Sequence, residues 1–162
     1  RIVGEVLGVE DRAAKLSGKV GADIDAAEAA TAGIAERKKV LFVLSLQGGR
    51  ILASGTGTAA DGIIAMAGGV NAVTAYPGYK QLSDEAVIEA APDVILAMDR
   101  GGGHDAQADQ LLTHPALAAT PAGRSGKVVR MDGAFLLGFG PRTAEAAHAL
   151  AVALYGDDVS AH

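Results

Sequence analysis

Cysteine is absent from the 162 residues. That excludes thiolate metal sites and disulfides, and it leaves the cellular compartment open. Aromatic residues make up only 4% of the chain and the net charge is −5. With no basic block and no aromatic-plus-basic groove, nucleic acid is not expected as a partner. No apolar run reaches membrane-spanning length. There is no Walker sequence, no Gly-x-Ser-x-Gly elbow, no Ser-His-Asp spacing and no outstanding pair of carboxylates. Gly101-Gly102-Gly103 has the wrong spacing for a dinucleotide fingerprint, and Gly138-x-Gly140 lacks the third glycine. The histidines at 104, 114, 148 and 162 match no zinc pattern. Enzyme chemistry has nothing specific to stand on, and the expectation is a protein that is not an enzyme.

What is present is an ordinary α/β composition: 49% apolar residues, mostly Ala, Val, Leu and Ile, with 20% charged. The length fits one domain with a substantial core. The chain opens Arg1-Ile2-Val3-Gly4-Glu5-Val6-Leu7-Gly8 without an initiator Met or a signal peptide. That opening reads like the middle of a helix, so the start of the natural polypeptide is expected to be missing.

Small or apolar residues at Ala13, Leu16, Val20, Ile24, Ala27, Thr31 and Ile34 step by three or four. The spacing predicts one helix over 11–37, roughly 40 Å long. Gly18, Gly21 and Gly33 weaken it, so packing must hold it. Val40 to Leu46 is an apolar run without alternation, the pattern of a strand buried on both faces. Gln47-Gly48-Gly49-Arg50 turns it into a short hairpin partner, 51–54. Thr58 caps a helix over 59–67, with Asp61 placed as in a capping box. Residues 70–80 read as irregular, and Ser83 caps the next helix. Val94 to Met98 is a second buried strand, followed by a glycine loop, Asp99 to His104. A short helix over 105–112 comes next, then a turn or short helix from His114-Pro115. A loop over 123–126 and a last strand over 127–131 follow. Alternating helices and buried strands predict an α/β three-layer sandwich with a mainly parallel central sheet.

Ligands of open α/β sheets bind beyond the carboxyl ends of the strands. The loops Gln47–Arg50, Asp99–His104 and Asp132–Arg142 follow the three strong strands. Each is glycine-rich and each holds an arginine, a surface suited to carboxylates. Arg100 reads as solvated. Arg50 reads either as a hairpin-surface residue or as a ligand contact. Arg142 stands out: with Pro141 at the first helical position, its cation falls on the first turn, where the helix dipole disfavours it. Something anionic or polar nearby should compensate. His104 could reach a metal, His114 suits a cap or turn, and His148 suits a solvent face. Tyr76 and Tyr79 either pack over the sheet edge or offer a phenol to ferric iron.

Several stretches then resemble the haem-binding periplasmic proteins of bacterial haemin ABC importers. They are Val40 to Arg50, Gly57-Thr58-Ala59-Ala60-Asp61, Gly68-Gly69-Val70-Asn71-Ala72, Gly78 to Ala86, Ala91-Pro92-Asp93-Val94-Ile95-Leu96 and His114-Pro115-Ala116-Leu117. Met131-Asp132-Gly133 and Leu137-Gly138-Phe139-Gly140-Pro141-Arg142-Thr143 complete them. The Ser-to-Pro-Asp theme belongs to a wider group that includes siderophore and cobalamin binders, while the Leu-Gly-Phe-Gly-Pro-Arg run is more particular to the haem branch. The resemblance implies a two-lobed protein with haem in the cleft. Residues 1–38 would hold the end of one helix and the long interlobe helix, and 39–162 the C-terminal lobe. A tyrosine of the absent lobe would ligate the iron, with Arg142 bonded to it or to the haem edge. Tyr79 is the candidate second axial ligand. Arg50 and Arg142 would meet propionates, and Phe135, Leu136 and Phe139 the porphyrin face.

The same resemblance implies the periplasm as location and an ABC permease dimer as partner, docked through Glu5, Glu10, Glu85 and Glu89. The alternatives are a ferric-siderophore or cobalamin binder, a small α/β nucleotide-dependent enzyme, and an interaction domain that forms a homodimer through its exposed cleft face.

Overall fold

Two unbroken apolar runs become the centre of the sheet. β1 (Lys39–Gln47) and β5 (Val94–Asp99) pair in parallel, with Val40 opposite Val94 and Val43 opposite Ala97. Side chains alternate between the faces of a strand. Val40, Phe42, Val94 and Leu96 therefore join one buried cluster, and Leu41, Val43, Ile95 and Ala97 join the other. The missing polar alternation reflects two covered faces. The structure, a computed structural model, describes residues 2–99 and 104–159.

β6 (Val128–Asp132) extends the sheet in parallel beyond β5. On the other side β2 (Arg50–Ser54) folds back antiparallel on β1. The turn between them needs Gly48 and Gly49, whose φ values of 57° and 72° lie in the left-handed region. β3 (Val70–Asn71) pairs in parallel with the start of β1, and β4 (Tyr79–Leu82) runs antiparallel to β2 at the edge. The order is β4-β2-β1-β5-β6 with β3 beside β1.

Helices cover both faces. On one lie α2 (Glu10–Ala29), α3 (Ala59–Met66), α8 (Gly133–Leu137) and α9 (Thr143–Tyr155), which bury Ala27, Ile63, Ile64, Leu136, Ala147, Leu150, Ala151 and Leu154. On the other lie α4 (Asp84–Ala90), α5 (His104–Thr113), α6 (Pro115–Ala118) and α7 (Pro121–Ser125), which bury Val87, Leu111, Ala116, Leu117 and Ala122. α1 (Ile2–Leu7) packs on α2. The three-layer sandwich with a mainly parallel sheet is the architecture observed.

Several boundaries differ from expectation. The first long helix stops at Ala29, so α2 spans roughly 30 Å rather than 40. The chain then turns, and the residues that lead into β1 bond to neighbouring elements. The Lys38 N–H donates to the Tyr155 hydroxyl at 3.1 Å and the Arg37 guanidinium to the Gly68 carbonyl at 3.4 Å. The apolar stripe is buried only near its end: Ala27 is covered, while Leu16 is 50% exposed. The segment expected to be irregular supplies β3 and β4, which sequence reasoning misses because edge strand β4 buries no side chain fully. Thr120 caps α7, where a loop was expected. The expected caps do form: Thr58 accepts from the Asp61 N–H at 3.0 Å, Asp61 from the Gly57 N–H at 2.9 Å and Ser83 from the Ala86 N–H at 3.2 Å.

Candidate functional site

Because β1, β5 and β6 are parallel, their carboxyl ends share one edge of the sheet. Asp99 stands opposite Asp132, and β1 runs on past its last β5 partner to Gln47. That edge holds the Gln47–Arg50 turn and the 132–142 connection. Of the third expected loop, Arg100, Gly101, Gly102 and Gly103 lie outside the described residues, as does the side chain of His104.

The 132–142 connection is more ordered than a glycine loop. The Asp132 carboxylate accepts from the Phe135 N–H at 2.8 Å and starts α8. That helix drops Leu136 into the core at 1% exposure, so Leu136 cannot line a ligand face as expected. Gly138 follows as its C-cap. Phe139 comes next at φ 42°, 46% exposed. A left-handed residue after a helix is usually glycine, because a side chain is strained there. Such an outlier at a strand-tip rim points to function.

α9 begins at Thr143, two residues later than expected, and Arg142 is its N-cap. Pro141 therefore precedes the helix. A tight turn closes the join: the Thr143 hydroxyl donates to the Gly140 carbonyl at 2.7 Å, and its N–H to the same oxygen at 3.0 Å. Arg142 remains at the positive end of the dipole. No anion compensates it among the described residues. Instead its guanidinium carbon lies 5.2 Å from the centroid of the Phe135 ring. A π face attracts a cation without consuming its hydrogen-bond donors, so the fork stays open to solvent.

The other candidates are placed separately. Arg50 is exposed at the hairpin tip, opposite Gln47. Tyr79 pairs with Ser54, the far end of β2 from Arg50, roughly 13 Å away at strand rise. It is 38% exposed and edge-on to Phe42, with centroids 6.4 Å apart. Tyr76 packs over the sheet edge, its hydroxyl donating to the Ala53 carbonyl at 3.3 Å. Burial pushes its phenol above the usual tyrosine range, which disfavours the phenolate that ferric iron prefers. His148 is exposed on α9. His114 is only 8% exposed and makes no side-chain cap; its Nε2 lies 3.0 Å from the Gly49 carbonyl, tying α6 to the hairpin turn.

Sequence reasoning missed one pair at this edge. Arg130, largely buried, faces Asp99 at 3.7 Å. The contact depends on the β5–β6 register, which sets Arg130 opposite Ala97 and so diagonal to Asp99.

A mainly parallel sheet covered on both faces, with an open guanidinium and an exposed aromatic ring at its strand tips, defines an α/β three-layer lobe. The chain belongs to the periplasmic binding protein family, which matches residues 1–134. Among solved structures it is similar to the periplasmic heme-binding protein BhuT in complex with two hemes. The identity is 42% and the TM-score 0.85, over 94% of this chain and 58% of that one. It is also similar to the periplasmic heme-binding protein RhuT from Roseiflexus sp. RS-1 in apo form, with 39% identity and a TM-score of 0.87 over 98% and 61%. HutB of Vibrio cholerae, a periplasmic heme-binding protein, shares 34% identity with a TM-score of 0.81 over 94% and 60%. The chain thus spans about three fifths of the length of these structures. No curated protein matches it. Among the described residues no helix is long and apolar enough to cross a membrane.

Proposed function

We propose that this chain is the connecting helix and C-terminal lobe of a two-lobed protein that captures haem in the periplasm and delivers it to an ABC permease. Residues 1–38 then form the end of one helix and the link between lobes, and 39–162 the lobe itself. Haem is cargo, and capture and release need no chemical step. The single observation that carries the reading is the open Arg142 fork poised on Phe135 beside the exposed Phe139. Haem presents carboxylates and a flat apolar face, and this rim offers a partner for each. An arginine beside a ligating phenol also favours phenolate, the form that binds ferric iron. The similarity to three periplasmic heme-binding proteins supports the same reading.

In this reading Arg50 contributes from the hairpin tip, and Phe139 supplies an apolar wall. Tyr79 is a candidate second iron ligand only where haem reaches the β4 side of the sheet. Glu85 and Glu89, both exposed and four residues apart on α4, would present one acidic face to permease arginines, with Glu5 and Glu10 as a second. A second copy would pair through the exposed cleft face, where Phe139 is 46% exposed.

Absorption titration tests the cargo. With the two-lobed protein, haemin should give a saturable Soret shift, while a ferric hydroxamate siderophore and cobalamin should fail to displace it. Saturable binding of either one, with no Soret shift by haemin, would move the protein to the siderophore or cobalamin class. Saturable binding of ATP or NAD would move it to the nucleotide-using enzymes.

A further inference from the structure

Two residues near the rim each sit where the other's type would be locally preferred. Gly62 lies inside α3, its N–H bonded to the Thr58 carbonyl at 3.0 Å, where alanine would form the helix better. Its backbone needs no glycine, because its φ is not positive. Phe139 occupies the left-handed conformation that glycine takes without strain. The contact between them accounts for both. A Cβ built at Gly62 would meet Cζ of Phe139 at 3.3 Å and Cε1 at 3.8 Å, and, among the described residues beyond its own helix backbone, no other atom within 4 Å. The bare patch of α3 is a seat for one edge of that ring.

The seat bears on more than one side chain. Phe139 stands between Gly138, the C-cap of α8, and Gly140, whose carbonyl anchors Thr143 at the start of α9. A Cβ at Gly140 would meet nothing within 4 Å, so side-chain packing there does not hold the connection. The Phe139 ring braces this link on α3, beside the direct packing of α8 and α9 on the same helix, and Arg142 follows three residues on. We propose that Gly62 is a positioning residue for the ligand rim. By leaving α3 bare it seats the Phe139 ring, and so sets the angle at which the Phe139–Arg142 segment presents an apolar face and a guanidinium to the cargo. This rests on the haem reading for the identity of the cargo, but the seating itself does not.

The test uses the two-lobed protein that carries this chain, and four variants of it. Without ligand, ring protons of Phe139 should show nuclear Overhauser contacts to the α protons of Gly62, which the ring current should shift. With haemin, Gly62→Leu should weaken binding tenfold or more while its far-ultraviolet dichroism stays native. Gly62→Ala should raise the melting temperature through helix propensity and still weaken binding several-fold. A merely structural glycine would move both readouts in the same direction. Phe139→Gly should also weaken haemin binding, and combining it with Gly62→Leu should cause no further loss. Gly62→Leu binding like the unmodified protein, additive losses in the double variant, or no Phe139–Gly62 contact by resonance would each overturn the inference. A two-lobed protein that ignores haemin overturns the haem reading instead, and the resonance contact then decides the seating alone.

Discussion

The Arg142 guanidinium carbon lies 5.2 Å from the centre of the Phe135 ring, at the N-terminal end of α9. A cation at that end of a helix is opposed by the dipole, by about 0.3–1 kcal/mol at an exposed site. A cation–π contact returns about 0.5–1 kcal/mol. The two effects nearly cancel, so the arginine is held in place at little net expense with its donors free. Carboxylate partners would have held it more firmly and closed the fork.

Removing the ring should therefore loosen the arginine more than it destabilises the fold. Phe135→Leu keeps most of the apolar bulk that packs against the α8–α9 layer. Its expected cost is about 1 kcal/mol in urea unfolding. Haemin affinity should fall several-fold, because the guanidinium then samples more orientations. Equal affinity with lowered stability would mean that Phe135 serves packing alone.

His114 ties two layers at the rim. Its Nε2 lies 3.0 Å from the Gly49 carbonyl and 4.0 Å from the Asp84 carboxylate, while its Nδ1 is buried without a partner among the described residues. His114→Ala should lower unfolding stability by about 1–3 kcal/mol, since the Gly49 carbonyl loses its donor and the space is not refilled. Amide exchange should rise at Gly48, Gly49 and Arg50 first. Uniform loosening across the sheet would contradict a local tether.

Tyr76 sets an upper pH limit. Burial raises its pKa above the ordinary tyrosine value of about 10. Between the unfolded and the folded value the native state holds one proton more than the unfolded chain. Stability from this group is thus complete below pH 10 and declines as pH rises through the folded value. Unfolding midpoints measured from pH 9 to 12 should fall above pH 10, and Tyr76→Phe should remove part of that fall. An unchanged slope in the variant would assign the loss to other groups.

The parts of the fold legible in the sequence were those in which physical demand and residue type coincide. The runs Val40–Leu46 and Val94–Met98 announce strands covered on both faces, and Thr58 and Ser83 announce helix starts through their hydroxyls. β4 escaped because Tyr79-Lys80-Gln81-Leu82 is an exposed edge whose strand character comes from pairing with β2. The stripe along 11–37 overran because spacing alone cannot tell which turns find a neighbour.

At the site, Arg142 was legible from its unfavourable dipole position, but its actual partner was not. The expected anionic or polar group is replaced by a π face, which depends on α8 forming at all. Leu136 was assigned to the ligand face and belongs to the core, because α8 rotates it inward. The Arg130–Asp99 pair and the Gly62–Phe139 seat join residues far apart in the chain. A glycine inside a helix signals some close approach, yet only the fold tells what approaches it.

The central claim is tested most directly by titrating haemin into the two-lobed protein that carries this chain and into its Arg142→Ala variant, followed at the Soret band. A saturable shift is predicted for the unmodified protein, with affinity at least tenfold lower in the variant, equivalent to about 1.4 kcal/mol. Arg142→Lys should recover only part of the loss, because an ammonium lacks the planar fork. Identical titrations for the unmodified protein and Arg142→Ala, or no saturable shift in either, would contradict the account.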